Sequence, residues 1–306
     1  MTSTYLGRFA PSPTGPLHAG SLVAAVASYL DARVHRGRWL LRIEDLDPPR
    51  EQPGATSAII TALTAHGLIA DGPIIHQSQR HPAYGQALSR LQAAGHVYRC
   101  RCSRRDILQA LADRGPVDAG IDGREPVYPG TCRLAPPPPD ITCAWRCHVG
   151  EQIIRWTDRS GSRTHVEALA EQPGDFVLQR RDGLWSYQLA VVVDDAMSGV
   201  TDVVRGDDLY SNTARQCLLQ QWLGLSRPRY LHVPVVRNEA GEKLSKQTRA
   251  PAIAIAPSER LAVDQLNAAM IHLGLASVDA SGPADFWPRA IGQWARYLER
   301  LPARHR

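Results

Sequence analysis

Two stretches far apart in the chain carry residue types suited to holding a nucleotide. The first is Arg8-Phe9-Ala10-Pro11-Ser12-Pro13-Thr14-Gly15-Pro16-Leu17-His18-Ala19-Gly20-Ser21. Its prolines and Gly15 forbid regular structure through the middle. A helical pattern then starts at Ser21, with Leu22, Val26, Tyr29, Leu30 and Val34 on one stripe. A loop that opens into a helix suits phosphate, because the first backbone N–H groups are unpaired and the helix dipole favours negative charge there. His18 stands at the lip, where it can donate to a phosphate oxygen. The second stretch is Glu242-Lys243-Leu244-Ser245-Lys246-Gln247, after the turn Asn238-Glu239-Ala240-Gly241. Two lysines three apart in a serine-bearing loop suit a clamp on a triphosphate and its developing charge. Each signal alone is weak, since many turns bind nothing and lysine pairs are common on surfaces. Together they are stronger.

Other residues suit a small charged substrate. Glu44 follows the apolar run Trp39-Leu40-Leu41-Arg42-Ile43 and can meet an ammonium; the alternative is a solvated acidic turn with Asp45 and Asp47. Arg205 ends Asp202-Val203-Val204 and can clamp a carboxylate bidentately. Its alternative is a salt bridge to Asp207 or Asp208. Cys100 and Cys102, with Cys132 further on, can hold a tetrahedral Zn²⁺ given a fourth ligand from Tyr128, Cys143, Cys147 or His148. Alternatively, Cys143 and Cys147 are small apolar residues of a strand around Ala144-Trp145-Arg146.

The elements that must position these groups alternate between strand and helix. A strand from Tyr5 precedes the first loop, and the apolar run at Trp39 is the next. Helices follow over about Thr56–His66 and Pro82–Ala94, closed by Gly67 and Gly95. This alternation predicts an α/β fold with a doubly wound parallel sheet, whose ligands sit beyond the carboxyl ends of the strands. From Val97 a polar, cysteine-bearing segment with the proline run Pro136–Pro139 interrupts the pattern and reads as an insertion. Phe176–Tyr187 reads as a hairpin turning at Asp182-Gly183. Leu189–Val193 is a buried apolar segment ending in the paired carboxylates Asp194 and Asp195. A helix over about Asn212–Trp222 follows, and from about Pro257 the chain reads as mostly helical. The expected organisation is a first half of the catalytic domain (1–97), an inserted subdomain (98–174), a second half (175–225), and the lysine loop with a helical region (226–306).

The 306 residues are 43% hydrophobic and 21% charged, so a folded soluble protein is expected rather than a disordered one, and a net charge of +5 with a pI near 9.0 tilts toward an anionic partner such as RNA. No apolar run is long enough for a membrane span, and no signal peptide is evident at Met1-Thr2-Ser3-Thr4-Tyr5. A cytoplasmic location is therefore expected, with the six cysteines as thiols or metal ligands rather than disulfides.

Taken in order, these motifs resemble those of the class I aminoacyl-tRNA synthetases, in the glutamyl branch. Pro11–Ser21 resembles the branch's HIGH region, with Ser21 in place of the last histidine. Lys243-Leu244-Ser245-Lys246-Gln247 resembles its KMSKS loop, with Gln247 in place of the last serine. Arg42–Asp47 and Arg205–Leu209 match further segments in order and spacing. The resemblance implies a Rossmann-like catalytic domain with an inserted zinc-binding subdomain. It assigns one structural Zn²⁺ to Cys100, Cys102, Tyr128 and Cys132, since a closed set of four ligands leaves no open position for catalysis.

The resemblance also implies roles. Arg8 and Arg205 would pair with the two carboxylates of L-glutamate, Glu44 with its ammonium, and Tyr187 would hydrogen-bond in the same pocket, floored by Phe9, Ala10, Pro11 and Ser12. His18, Gly20, Lys243 and Lys246 would bind ATP, accompanied by Mg²⁺, with His18 and Lys246 serving the reaction. Full-length members of the branch carry a long anticodon-binding region after the lysine loop, whereas this chain reaches Arg306 soon after Gln247. A short C-terminal helical region with no anticodon-binding domain is thus expected. Short members with the Cys-x-Cys…Tyr-x3-Cys pattern attach glutamate to the queuosine base in the anticodon of tRNA(Asp), a reaction implied here with no role for DNA or membrane. The alternatives are a truncated enzyme charging a tRNA 3′ end and a non-catalytic synthetase-like module that binds tRNA.

Overall fold

A computed structural model describes residues 5–114, 126–161, 163–237 and 252–301. Strand β1 (Leu6–Phe9) leads through the proline-rich loop to helix α1 (Ala19–Val34), and β2 (Arg38–Ile43) returns parallel to β1 with Phe9 opposite Leu41. Helix α2 (Ala55–Ala65), the short β3 (Ile75–His76) and α3 (His81–Ala93) complete the first half, with β3 parallel to β2.

The insertion then begins. Strand β4 (Val97–Cys100), α4 (Arg104–Ala112), the single-turn α5 (Thr131–Leu134) and β5 (Ala144–Cys147) precede the antiparallel hairpin β6 (Ile153–Thr157) and β7 (Thr164–Ala168). Strand β8 (Val177–Gln179) closes a small antiparallel sheet in the order β4-β5-β8.

The parallel architecture resumes with α6 (Tyr187–Met197), β9 (Asp202–Gly206), α7 (Thr213–Leu223) and β10 (Arg229–Val233), which runs parallel to β9. Helices α8 (Glu259–His272) and α9 (Pro283–Arg300) end the described chain. The parallel strands form a group of three and a group of two rather than one continuously bonded sheet. Thr201 joins the groups: its N–H donates to the Leu6 carbonyl at 2.9 Å, and its hydroxyl accepts from the Leu6 N–H at 2.8 Å. The order across the molecule is therefore β3-β2-β1-β9-β10, which reverses direction between β1 and β9.

Side-chain alternation along the strands separates two cores. Val204, Leu231 and Val233 join α1, α8 and α9 on one face, where Phe286, Trp287 and Trp294 are buried. Val203 and Tyr230 join α3, α6 and α7 on the other. Helices on both faces are the doubly wound arrangement expected from the strand–helix alternation.

One expectation is corrected. The hairpin around Gly183 (φ +87°) forms, with Gln179 bridged to Trp185, but Tyr187 begins α6 instead of ending a strand. Ser186 caps that helix by accepting from the Leu189 N–H, and every residue from Gln188 to Asp195 is buried. A helix apolar on all sides shows no helical stripe, so periodicity could not separate it from a buried strand.

Candidate active site

A cavity of about 540 Å³ opens beyond the carboxyl ends of β1, β2, β9 and β10. It is lined by Arg8, Phe9, Ala10, Pro11 and Ser12 from the end of β1, by His18 and Gly20 at the start of α1, by Glu44 after β2, by Tyr187 on α6, and by Arg205 on β9. These are residues that the sequence singles out, and the fold collects them at the point where strand order reverses. Such a crevice is the natural ligand site of an open parallel sheet. Lys243 and Lys246 lie outside the described residues. The chain on either side of that stretch borders the same cavity: Val235 and Val236 line it, and Ala252 forms an antiparallel bridge with His18.

Local geometry explains several of these placements. Gly15 has φ +139°, open to glycine but strained for other residues, and a Cβ there would also press on the Gln52 side chain at 3.1 Å. Gly206 ends β9 under the cavity, where a Cβ would sit 2.7 Å from Val235 Cγ1. The first helix begins at Ala19, two residues earlier than its apolar stripe indicates, because His18 is its cap. The imidazole Nδ1 accepts the Ser21 N–H at 3.2 Å, which leaves the Nε2 position to act as the donor.

The wall bearing Glu44 is a ladder of alternating charges. Arg8 Nε lies 3.2 Å from Asp195 Oδ1, and Arg42 Nη1 lies 2.5 Å from the same oxygen. Arg42 Nη2 donates to Glu44 Oε1 at 3.3 Å. Asp194, fully buried, accepts from Gln77 and Tyr84 at 2.7 Å and from Arg80. Burial opposes the charged form of Asp195, but Arg42 and Arg8 outweigh it and hold its carboxyl below the usual range. At Glu44 burial wins over the pull of Arg42 and Arg8, and its carboxyl is pushed up. The sequence marked Asp194 and Asp195 only as a carboxylate pair and gave Arg42 no role. Their ladder joins β1, β2 and α6 and has no local signature.

The opposite wall is different. Arg205 is only 4% exposed, yet no carboxylate pairs with it among the described residues. Its Nε donates to His232 Nε2 at 3.0 Å, its Nη1 to Gln216 Oε1 at 2.7 Å, and its Nη2 to Thr213 Oγ1 at 2.9 Å. Tyr187 OH stands 3.5 Å from Nη1. The salt bridge to Asp207 or Asp208 weighed from the sequence does not form. Asp207 instead accepts the Val235 N–H at 3.2 Å. A buried guanidinium held by neutral acceptors is an electrostatic seat for an anion.

A second cluster lies in the insertion. The sulfur atoms of Cys100, Cys102 and Cys132 all fall within 4.8 Å of one another. Tyr128 OH is 3.4 Å from Cys100 Sγ and 3.5 Å from Cys102 Sγ. Cys100, Cys132 and Tyr128 are buried. Thiolate–zinc bonds of about 2.3 Å place tetrahedral sulfurs roughly 3.8 Å apart, so this donor set fits such an ion. Cys143 and Cys147 do not join it. Cys147 sits opposite Val97, at the far end of the β4–β5 ladder from Cys100, fully buried in the apolar core. None of the six cysteines is in a disulfide.

The family model described as "tRNA synthetases class I (E and Q), catalytic domain" matches residues 6–118 and 143–273. A protein from Chromobacterium violaceum named "Glutamyl-Q tRNA(Asp) synthetase" is 52% identical over 302 residues, covering 98% of this chain and 96% of that protein. One of the same name from Thiobacillus denitrificans is 48% identical over 300 residues, covering 97% and 95%. The crystal structure of a glutamate-tRNA synthetase from Elizabethkingia anophelis superposes with a TM-score of 0.68 at 28% identity. The match covers 79% of this chain and 52% of that one, so the chain spans about half the length of that larger enzyme.

Proposed function

The chain belongs to the class I tRNA synthetases of the glutamate and glutamine type, and from that membership and the cavity we propose that it activates L-glutamate with ATP and transfers it to the queuosine base in the anticodon of tRNA(Asp). One observation carries the proposal furthest: the buried Arg205, without an anionic partner among the described residues, shares a cavity with Arg8 and Glu44. Glutamate offers two carboxylates and one ammonium. Arg8 and Arg205 take the carboxylates, Glu44 takes the ammonium, and the Tyr187 hydroxyl bonds within the same pocket. Between them the two walls set three buried guanidiniums, Arg8, Arg42 and Arg205, against Glu44 and Asp195, which complements a substrate carrying one net negative charge.

In the first step a carboxylate oxygen of glutamate attacks the α-phosphorus of ATP in line and pyrophosphate departs, giving glutamyl-adenylate. His18, Gly20 and the backbone between Ser12 and Gly20 cradle the phosphates at the start of α1. Lys243 and Lys246 neutralise the triphosphate. The protein's task is positioning and charge stabilisation, which is sufficient for phosphoryl-type transfer. In the second step a hydroxyl of the queuosine cyclopentene ring attacks the activated carbonyl. An ester forms, AMP leaves, and the leaving phosphate can accept the proton. Magnesium accompanies the ATP.

A structural Zn²⁺ would be held by Cys100, Cys102, Tyr128 and Cys132, where it would pin α5 against β4 and order the insertion. Elemental analysis finding no zinc in the purified protein would remove it from the scheme. A cytoplasmic location follows from tRNA as substrate, and no described helix is long and apolar enough to cross a membrane.

The test is glutamylation of queuosine-containing and queuosine-lacking tRNA(Asp), side by side with ATP–pyrophosphate exchange in the absence of tRNA. Exchange that depends on glutamate, and labelling confined to the queuosine-containing tRNA, are the expected results. Equal labelling of both tRNAs would overturn the assigned acceptor.

A further inference from the structure

Arg205 is aimed by a chain of polar groups that ends in the inserted subdomain. Its Nε–H meets the Nε2 lone pair of His232 at 3.0 Å. On the other side of the imidazole, Nδ1 lies 2.5 Å from Asp158 Oδ2. Asp158 follows β6 at the turn of the β6–β7 hairpin and forms a parallel bridge with Tyr230 on β10. Its carboxylate is fixed in turn by the backbone N–H of Ser160 at 2.8 Å, the Ser160 hydroxyl and the backbone N–H of His232 at 3.1 Å. All three members of the chain are buried, at 4% exposure for Arg205, 6% for His232 and 2% for Asp158.

Only one protonation pattern satisfies every contact. Asp158 is an acceptor, so the imidazole must carry a proton on Nδ1. Arg205 Nε is always a donor, so imidazole Nε2 must be bare. A neutral Nδ1–H imidazole meets both demands; the other tautomer sets two donors against each other at Nε2. The rings of Trp156 (5.9 Å), Tyr210 (4.9 Å) and Tyr230 (6.3 Å between centroids) wall the imidazole in. It therefore cannot turn aside.

We propose that His232 is a positioning residue for the glutamate clamp, held by Asp158 in the Nδ1–H tautomer so that the hairpin of the insertion sets the direction in which Arg205 presents its guanidinium. The clamp's Nη1 and Nη2 have further acceptors in Gln216 and Thr213, but only Nε is tied to a residue anchored outside the parallel-strand half of the fold. The inference rests on Arg205 being the glutamate clamp. Its logic is that of any catalytic constellation, in which the group touching substrate is only as well placed as its support.

Two measurements test it. The first is glutamate-dependent pyrophosphate exchange for the wild type, His232→Leu and His232→Gln. Loss of a hydrogen bond to a charged donor raises the KM for glutamate about tenfold or more in His232→Leu, with the KM for ATP unchanged. Gln, whose carbonyl can replace Nε2 as acceptor, restores most of the loss. A folded His232→Leu protein with an unaltered glutamate KM, or one in which both KM values rise alike, overturns the proposal. The second is long-range ¹H–¹⁵N NMR of the histidine rings, assigned by the signal missing in His232→Gln. A neutral ring protonated on Nδ1 is expected, and one protonated on Nε2 overturns the proposal even if the wild type shows no exchange. Absence of exchange in the wild type is a failure of the glutamate reading itself and is visible before any variant is compared.

Discussion

The two walls of the cavity both bury charge, and they balance it in opposite ways. On the Glu44 wall each guanidinium has a carboxylate: Arg8 meets Asp195, Arg42 lies between Asp195 and Glu44, and Arg80 meets Asp194. On the Arg205 wall the guanidinium has only neutral acceptors among the described residues, and the ring of Tyr230 lies 5.2 Å away. The guanidiniums of the first wall are balanced within the protein, which fixes the shape of the pocket. The second wall leaves a buried positive charge with no carboxylate among its described partners, suited to an anion. The same residue type therefore has its charge balanced inside the protein at Arg42 and is left for the proposed ligand to balance at Arg205, and the partners decide which.

The sharpest way to break this contrast is to remove a guanidinium from each wall. Arg42→Met leaves Asp194 and Asp195 buried with one fewer cation, and breaking such a set costs about 3–5 kcal/mol. Urea unfolding reads that loss directly. Arg205→Met removes a charge whose remaining partners are neutral, so its stability falls less, while the KM for glutamate rises about a hundredfold, as for truncation of one side of a buried charge pair. Pyrophosphate exchange at varied glutamate reads the second effect. An Arg205→Met protein less stable than Arg42→Met, or one that retains its glutamate KM, would erase the distinction between the walls.

Much of this site was legible in the sequence because its residues fall in ordered local motifs. The loop from Arg8 to Gly20, Glu44 after an apolar strand, and Arg205 at the end of another all follow the rule that ligands gather at strand carboxyl ends. Tyr187, which the resemblance assigns to the substrate pocket, lines the cavity, but from a helix rather than a strand, because Leu189–Val193 is apolar all round and carries no period. What stayed hidden is the supporting network. Arg42 reaches Asp195 across 153 positions and Asp158 reaches His232 across 74, and nothing local to either partner marks the pairing. A buried aspartate looks like any other acidic residue until the chain has folded. The cysteine cluster illustrates the same limit. Cys100 and Cys102 announce themselves, but spacing alone leaves a fourth partner open among four residues; the resemblance points to Tyr128, and the fold brings its hydroxyl against the sulfurs.

A smaller effect separates the two carboxylates within the Glu44 wall. Burial raises the Glu44 carboxyl above its ordinary value near 4.5, whereas Arg42 and Arg8 keep Asp195 below the usual range in spite of burial. As pH falls from neutrality, Glu44 therefore takes up a proton first, and the pocket loses the carboxylate proposed to meet the substrate ammonium while Arg8 remains paired with Asp195. The expected result is an acidic limb in kcat/KM for glutamate, falling about tenfold per pH unit below a midpoint higher than that of an ordinary glutamate. Bound ammonium favours the charged form, so the corresponding limb in kcat lies at lower pH. Unfolding does not mimic this limb. A carboxyl raised in the folded state binds its proton more tightly there than in the unfolded chain, so protonation of Glu44 adds stability as pH falls. Asp195, depressed in the folded state, contributes stability that is fully present above its unfolded value and is lost only as pH drops through its lower folded one. Activity should thus decline while circular dichroism still reports the native fold, and Glu44→Gln should have lower activity at neutral pH with the limb abolished. A limb that persists in Glu44→Gln, or that coincides with unfolding, would mean that the two carboxylates share one environment and that this wall acts as a single charge.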